Sequence, residues 1–232
     1  MEPAQREIFE GLYIKEGLIL TGGLRRALQC DSQLWPHLKA GAAMPAYRKS
    51  IHLSRLVTPW LISPHKRFLL PQIENRQPGF SDTVKPVLNG DGTSLCMSGT
   101  PGTGKTCAAY AVAFELCLLH PGWVELIKWT TLLGLCSEVA GFDESAAEAF
   151  DELKESSFLI VDDFGRTAVR TDARFHHLFE LVDYREERGL PIITTTNLTA
   201  AELAETVGEA VLDRISCGLI YKFVGKSLRR ES

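Results

Sequence analysis

The chain has 232 residues, of which 45% are hydrophobic and 23% are charged, with a formal net charge of −4 at pH 7. This length allows one large domain, or one domain with a small appendage, and the composition is ordinary for a soluble globular protein. No apolar run is long enough to cross a bilayer and no signal peptide follows Met1, which argues against a membrane partner and predicts a cytoplasmic location. The six cysteines include no C-x-x-C pair, which favours reduced core cysteines over a metal site or a disulfide framework.

The first eighty residues differ from the rest of the chain in charge. Residues 1–80 contain 11 Lys and Arg against 6 Asp and Glu, whereas residues 81–232 contain 14 against 23. Short helices are predicted at 4–16 and 23–30, and six prolines interrupt any longer helix in this region. Residues 25–67 carry eight basic residues and one acid, which fits contact with a polyanion or an acidic protein surface, or a merely solvated surface. We therefore predict a partner- or DNA-binding region over residues 1–80.

A phosphate-binding motif follows a predicted connector at residues 72–91, which is rich in Pro, Gly, Asn and Asp. Residues 99–106 fit G-x-x-x-x-G-K-[ST] and lie between a predicted strand at 93–98 and a predicted buried helix at 107–119. In such a loop the backbone amides turn toward phosphate oxygens, the lysine reaches the β- and γ-phosphates, and the last hydroxyl ligates Mg²⁺. The motif predicts a site for a nucleoside triphosphate and Mg²⁺ formed by Gly99, Thr100, Pro101, Gly102, Thr103, Gly104, Lys105 and Thr106.

Strands and helices alternate beyond this motif. Further strands are predicted at 123–128, 157–161, 190–195 and 219–224, and helices at 130–140, 144–155, 172–187, 199–206 and 209–216. This alternation predicts an α/β fold in which a parallel sheet carries helices on both faces. Residues 81–232 are thus predicted to form one P-loop NTPase domain, preceded by a small, mainly irregular or helical region.

Two acids end the most apolar of the predicted strands. Phe-Leu-Ile-Val precedes Asp162 and Asp163, so a buried strand would place both carboxylates at the carboxyl edge of the sheet, where ligands bind. Two acids after an apolar run also fit a helix cap or a turn, but their place after a P-loop favours a role in phosphate chemistry. We predict that Asp162 holds Mg²⁺ together with Thr106, and that Asp163 orients or deprotonates the attacking water.

Three further polar side chains are candidates for the same site. Asn197 follows the next apolar strand and would hold the attacking water or the γ-phosphate, unless it simply precedes the helix that Thr199 caps. Arg214 and Arg229 could each stabilise charge during phosphoryl transfer. Spacing alone favours a surface position, or an ion pair with an acid such as Asp213, for either arginine.

Taken together, these motifs resemble AAA+ ATPases of the bacterial DnaC/DnaI helicase-loader and IstB-like group. The resemblance covers about residues 90–230 and rests on the P-loop, Leu-Ile-Val-Asp-Asp-Phe-Gly, Pro-Ile-Ile-Thr-Thr-Thr-Asn-Leu, Leu-Asp-Arg-Ile and Gly-Lys-Ser-Leu-Arg. It implies that Asn197 is sensor 1 and Arg229 is sensor 2. It also implies that Arg214 is an arginine finger acting on ATP bound by the neighbouring subunit, and hence an ATP-dependent homo-oligomer.

Several positions differ from the pattern of AAA+ proteins. Asp163 stands where many AAA+ proteins have Glu; the shorter carboxylate is usual in the group that this chain resembles, and it implies slow hydrolysis. Leu228 stands where an aromatic residue usually precedes sensor 2. Because the chain stops at Ser232, little or no C-terminal lid is expected. The helix predicted at 144–155 would match the extra helix of initiator-type members, which helps to form a DNA-facing surface.

Four functions are compatible with these features. The first is an ATP-dependent loader that binds ATP, Mg²⁺ and single-stranded DNA, and that delivers or remodels a replicative helicase. The second is an IstB-like transposition ATPase that acts on duplex DNA with a transposase. A P-loop small-molecule kinase and a nucleotide-gated scaffold without turnover are the others, and the paired acids with Asn197 favour hydrolysis over transfer to a metabolite.

Overall fold

The fold is built on a sheet of five parallel strands in a computed structural model that describes residues 70–120, 124–169 and 171–227. The strands lie in the spatial order β2-β3-β4-β1-β5, and every neighbouring pair is parallel. Their carboxyl ends therefore meet at one edge, as the sequence predicts for a ligand-binding α/β sheet. In chain order they are β1 (Leu95–Gly99), β2 (Val124–Lys128), β3 (Phe158–Asp162), β4 (Ile192–Thr196) and β5 (Leu219–Phe223).

Helices connect these strands. Within the described residues they are α1 (Leu70–Glu74), α2 (Phe80–Asn89), α3 (Lys105–Leu119), α4 (Trp129–Ala140), α5 (Glu144–Glu155), α6 (Asp172–Glu187), α7 (Ala200–Val207) and α8 (Glu209–Ser216). The elements predicted from residue 93 onward are confirmed, including the capping box in which Thr199 and Glu202 close the first turn of α7. The helices predicted at 4–16 and 23–30 lie outside the described residues. None of the described helices is both long and apolar enough to cross a membrane.

The irregular connector predicted at 72–91 is wrong, because most of it is helical. Phe80, Val84 and Val87 fall on one face of α2 and are buried, so their helical spacing outweighs the Pro and Asp content of the segment. The Glu74 carboxylate accepts hydrogen bonds from two backbone N–H groups at the start of α2, and these bonds lower the pKa of Glu74. The segment packs as part of the domain that contains the sheet.

The two faces of the sheet bury separate apolar clusters. The first cluster includes Met97 and Ile160 and packs under α1, α2 and α3. The second includes Leu159 and Val161 and packs under α4 to α8. Alternate residues of β3 thus point to opposite faces, and all five residues of this strand are buried. This doubly covered sheet holds the carboxyl edge rigidly in place.

A fully buried arginine, Arg185 of α6, ties the second helical layer to the sheet. Its Nη1 donates to the carbonyl oxygens of Leu153 and Ser156, each at 2.8 Å, and its Nη2 donates to the carbonyl of Pro191 at 2.9 Å. These carbonyls lie at the end of α5 and just before β3 and β4. Burial lowers the pKa of Arg185 to about 9, so the guanidinium remains protonated at neutral pH.

Replacing Arg185 with methionine should strongly destabilise the protein. The change removes a charged donor from several buried carbonyl groups, and we expect the free energy of unfolding to fall by about 3 kcal/mol. Urea denaturation followed by circular dichroism measures this loss. The control is Arg188→Met, since Arg188 is half-exposed just after the same helix, where it stacks on Tyr184 and forms an exposed ion pair with Glu187. Equal losses in the two variants would contradict the role assigned to Arg185.

Candidate nucleotide site

The P-loop joins β1 to α3 in the strand, loop and helix arrangement that the sequence predicts. Two of its glycines are required by close neighbours. A Cβ at Gly99 would collide with the carbonyl oxygen of Phe223, and a Cβ at Gly102 would collide with the side chain of Ser227. Gly102 also has φ +85°, a conformation that L side chains rarely adopt. The chain after β5 therefore lies directly against the loop.

Lys105 is the first residue of α3 and is almost fully buried at the loop. Its Nζ donates to the carbonyl oxygens of Gly99 at 2.6 Å and Thr100 at 2.8 Å. Thr103 donates its own hydroxyl to the Thr100 carbonyl at 2.9 Å, which fixes the turn between them. The ammonium is thus held inside the curve of the loop, where the predicted phosphate contacts would form.

A carboxylate and two hydroxyl groups meet at the end of β3. Asp162 is 3% exposed, and its Oδ1 accepts hydrogen bonds from Thr106 at 3.0 Å and from Thr195 at 2.6 Å. Thr106 and Asp162 are thereby brought together as predicted. A hydroxyl and a carboxylate next to a P-loop are the oxygen donors that Mg²⁺ takes in nucleotide sites, so this pair fits the predicted ion.

Asp163 follows this carboxylate in a left-handed backbone conformation, with φ +58°. Its N–H donates to the Thr195 hydroxyl at 2.9 Å, and its own carboxylate forms an ion pair with Arg166 at 3.4 Å. The side chain is 36% exposed at the rim of the sheet edge. Asp163 is placed beside Asp162, and its part in activating water stays a prediction.

Asn197 comes directly after β4 and is exposed at the same edge. β4 lies between β3 and β1, and Thr196 is paired in register with Ser98 just before the P-loop. The predicted position of this strand beside the P-loop strand is confirmed. Arg229 lies outside the described residues, which end at Ser227 against Gly102.

Arg214 of α8 is engaged within its own subunit. Its Nη2 lies 2.7 Å from Asp183 and its Nε lies 3.2 Å from Glu186, both on α6, and its guanidinium covers the ring of Phe179. Arg214 therefore forms ion pairs, as one interpretation of the sequence predicts, but with Asp183 and Glu186 and not with the neighbouring Asp213. Whether Arg214 also acts as an arginine finger stays a prediction.

The surface of α5 is acidic. Five of its twelve residues are Asp or Glu, and Lys154 is paired with Glu180 at 2.6 Å. Phosphate groups would be repelled along such a surface. Its charge gives no support to the DNA-facing role that the resemblance implies for this helix.

Thr195 contacts both acids of this site, although the sequence analysis did not single it out. It lies within β4, outside the P-loop, so its residue type alone gives no signal. The useful signal was the run of three threonines in β4, because polar groups on a fully buried central strand require partners.

Comparisons with known proteins agree with this geometry. The family of IstB-like ATP binding proteins matches residues 90–230, and the chain belongs to that family. The chain is also 28% identical, over 134 residues, to the replicative helicase loader DnaC of Escherichia coli strain K12. That match covers 56% of this chain and 53% of the relative, so the chain spans about half the length of the curated relatives it matches.

Solved structures show the same fold. DnaI is similar with a TM-score of 0.58 and 22% identity, over 69% of this chain and 93% of that one. The DnaC helicase loader has a TM-score of 0.53 and 20% identity, over 61% of this chain and 86% of that one. AMPPCP-bound DnaA from Aquifex aeolicus has a TM-score of 0.56 and 15% identity, over 71% of this chain and 51% of that one. These similarities confirm the AAA+ P-loop fold expected from the sequence.

Replacing Lys105 with alanine should abolish nucleotide binding. The change removes a charge-assisted contact to phosphate, and we expect affinity for ATP to fall by about a hundredfold. Titration with a fluorescent ATP analogue measures it, and a thermal melt checks that the variant is folded. Lys85→Ala removes the same charge from an exposed site on α2 and should leave affinity unchanged. An unaltered affinity in Lys105→Ala would refute the P-loop assignment.

Proposed function

We propose that this protein is an ATP-dependent helicase loader that hydrolyses ATP slowly and acts with single-stranded DNA and a replicative helicase in the cytoplasm. The observation that carries the ATPase part is the meeting of Lys105, Thr106 and Asp162 at one edge of the sheet. The similarity to the DnaC loader supports the choice of a replicative helicase as partner, and membership of the IstB-like family supports ATP binding.

The proposed chemistry assigns a separate task to each group at the edge. Lys105 exchanges its carbonyl contacts for oxygens of the β- and γ-phosphates. A Mg²⁺ ion held by Thr106 and Asp162 would offset the charge on those phosphates. Asp163 takes a proton from the attacking water, and Asn197 orients that water. In this scheme Arg229 contacts the bound nucleotide as sensor 2.

Turnover in this scheme depends on assembly. Arg214 would reach the γ-phosphate of ATP in the neighbouring subunit of a homo-oligomer, where a guanidinium stabilises charge as the phosphoryl group moves. Reaching it requires release from Asp183 and Glu186, which hold the guanidinium in the isolated subunit. This requirement and the short carboxylate of Asp163 both support slow basal hydrolysis.

DNA and protein contacts are proposed for the basic N-terminal region. Residues 25–67 carry the excess of Lys and Arg that phosphate contact requires, whereas α5 is acidic. The alternative is a transposition ATPase that acts on duplex DNA with a transposase, and the family match supports it equally at the level of ATP binding. The choice between the two rests on the DNA that stimulates turnover.

The test measures ATP hydrolysis alone, with single-stranded DNA and with duplex DNA, while light scattering follows mass. Stimulation by single strands with ATP-dependent assembly supports the loader, and preference for duplex supports the transposition ATPase. A monomer indifferent to DNA would overturn both, in favour of a small-molecule kinase or a scaffold. Added purified replicative helicase should change the rate further if the protein is a loader.

A mixing experiment tests the shared site. Arg214→Ala and Asp163→Asn should each bind ATP normally but hydrolyse it poorly, since each lacks one half of the proposed machinery. In an equal mixture, about one interface in four pairs an intact Asp163 with an intact Arg214 from the neighbour. We expect a corresponding recovery of phosphate release. The absence of any recovery in a mixture shown to assemble would contradict action in trans.

A further inference from the structure

The last three residues of β4 are buried threonines with different neighbours. Thr194 is paired in register with Cys96 of the neighbouring strand β1. Thr196 donates to the carbonyl of Phe164 and accepts the N–H of Leu198, which shapes the turn after the strand. Thr195 alone among the three contacts the acids at the end of β3.

The Thr195 hydroxyl both donates and accepts a hydrogen bond. The oxygen donates its proton to Asp162 Oδ1 at 2.6 Å, and it accepts the N–H of Asp163 at 2.9 Å. The direction is fixed, because a carboxylate oxygen only accepts and a backbone N–H only donates. The Thr195 carbonyl also accepts the N–H of Phe164 at 2.7 Å. One residue therefore fixes three consecutive residues of the neighbouring chain segment.

These bonds decide how the Asp162 carboxylate is presented. Thr106 and Thr195 both donate to Oδ1, and no hydrogen bond from the described residues reaches Oδ2. The carboxyl group is thus held in one rotation with its second oxygen available. Without the Thr195 bond, only the Thr106 hydroxyl would restrain that rotation, and Thr106 must also serve the ion.

The backbone at Asp163 depends on the same hydroxyl. A left-handed residue other than glycine costs about 1 kcal/mol and persists where surrounding contacts enforce it. The bonds from Asp163 N–H and Phe164 N–H to Thr195 supply that enforcement. The conformation turns the chain immediately after the buried Asp162, so that the two adjacent acids face different surroundings.

We infer that Thr195 is a positioning residue that sets the affinity of the site for Mg²⁺ by fixing the Asp162 carboxylate. The inference rests on the proposed function, since it assumes that Thr106 and Asp162 hold the ion of a bound nucleotide. Thr195 also lies two residues before Asn197, so the strand that carries the proposed sensor is hydrogen-bonded to the proposed metal ligand.

The test compares Thr195→Val, which keeps the shape but removes the hydroxyl, with Thr195→Ser, which keeps the hydroxyl but removes the methyl. Thr194→Val is the matched control, because Thr194 is equally buried on the same strand and forms no hydrogen bond with an acid among the described residues. Binding of methylanthraniloyl-ATP is titrated in a chelator and then over increasing Mg²⁺. Thermal melts establish folding, and Thr195→Ala replaces the valine variant if that variant does not fold.

For Thr195→Val we expect nucleotide affinity in the chelator within twofold of wild type. The Mg²⁺ concentration that gives half of the metal-dependent change should rise about tenfold, as for other outer partners of metal ligands. Thr195→Ser and Thr194→Val should both stay close to wild type. An unchanged Mg²⁺ requirement in Thr195→Val, or an equal loss in Thr195→Ser, would overturn the inference.

The same titration separates this inference from the proposed function. If the wild-type protein binds no nucleotide in either condition, the proposed function fails together with the inference. If it binds nucleotide but Mg²⁺ has no effect, the assignment of Thr106, Asp162 and Thr195 to a metal site is wrong, while the P-loop assignment stands.

Discussion

A carboxylate buried at the end of a central strand is the constraint on which the site depends. Every residue of β3 is buried, so Asp162 cannot turn its charge into bulk water. A buried charge is tolerated when it is hydrogen-bonded or binds a metal. The sheet order places β4 beside β3, and α3 begins at the same edge of the sheet. Thr195 of β4 and Thr106 of α3 therefore supply the required donors from two sides. The left-handed turn at Asp163 follows from the same arrangement.

The P-loop depends on chain segments far from it in sequence. The Gln77 side chain donates to the carbonyl of Val224 at 2.8 Å and accepts its N–H at 3.1 Å, as a neighbouring strand would. This pairing holds the chain after β5 where Ser227 lies against Gly102. Residues before β1 and after β5 thus close over one side of the loop. A substitution in either segment should therefore alter the P-loop at the nucleotide site, even where the substituted residue does not contact the nucleotide.

The local sequence pattern was sufficient to predict the sheet and the P-loop, but it could not predict contacts between side chains that are far apart in the sequence. The apolar run before Asp162 and the P-loop spacing predict the strand, the edge and the metal pair, because these follow from periodicity and chain order. Apart from Pro191, the partners named for Arg185, Arg214 and Thr195 lie about 30 residues away in the chain, so packing decides these contacts. The helix at Phe80–Asn89 was missed because its turn-forming residues hide a helical apolar stripe.

The pairing of Arg214 within its own subunit is compatible with a role in trans. Its guanidinium is only 25% exposed, but its carboxylate partners are 37% and 47% exposed, and such pairs contribute about 1 kcal/mol or less. A charge-assisted bond to a phosphate in a closed interface is stronger than this. Under the proposed action in trans, exchange would be favourable only where a neighbour presents a triphosphate. Asp183 and Glu186 would keep the arginine ordered and its charge offset until ATP-bound subunits meet, and release of the arginine would then follow from assembly.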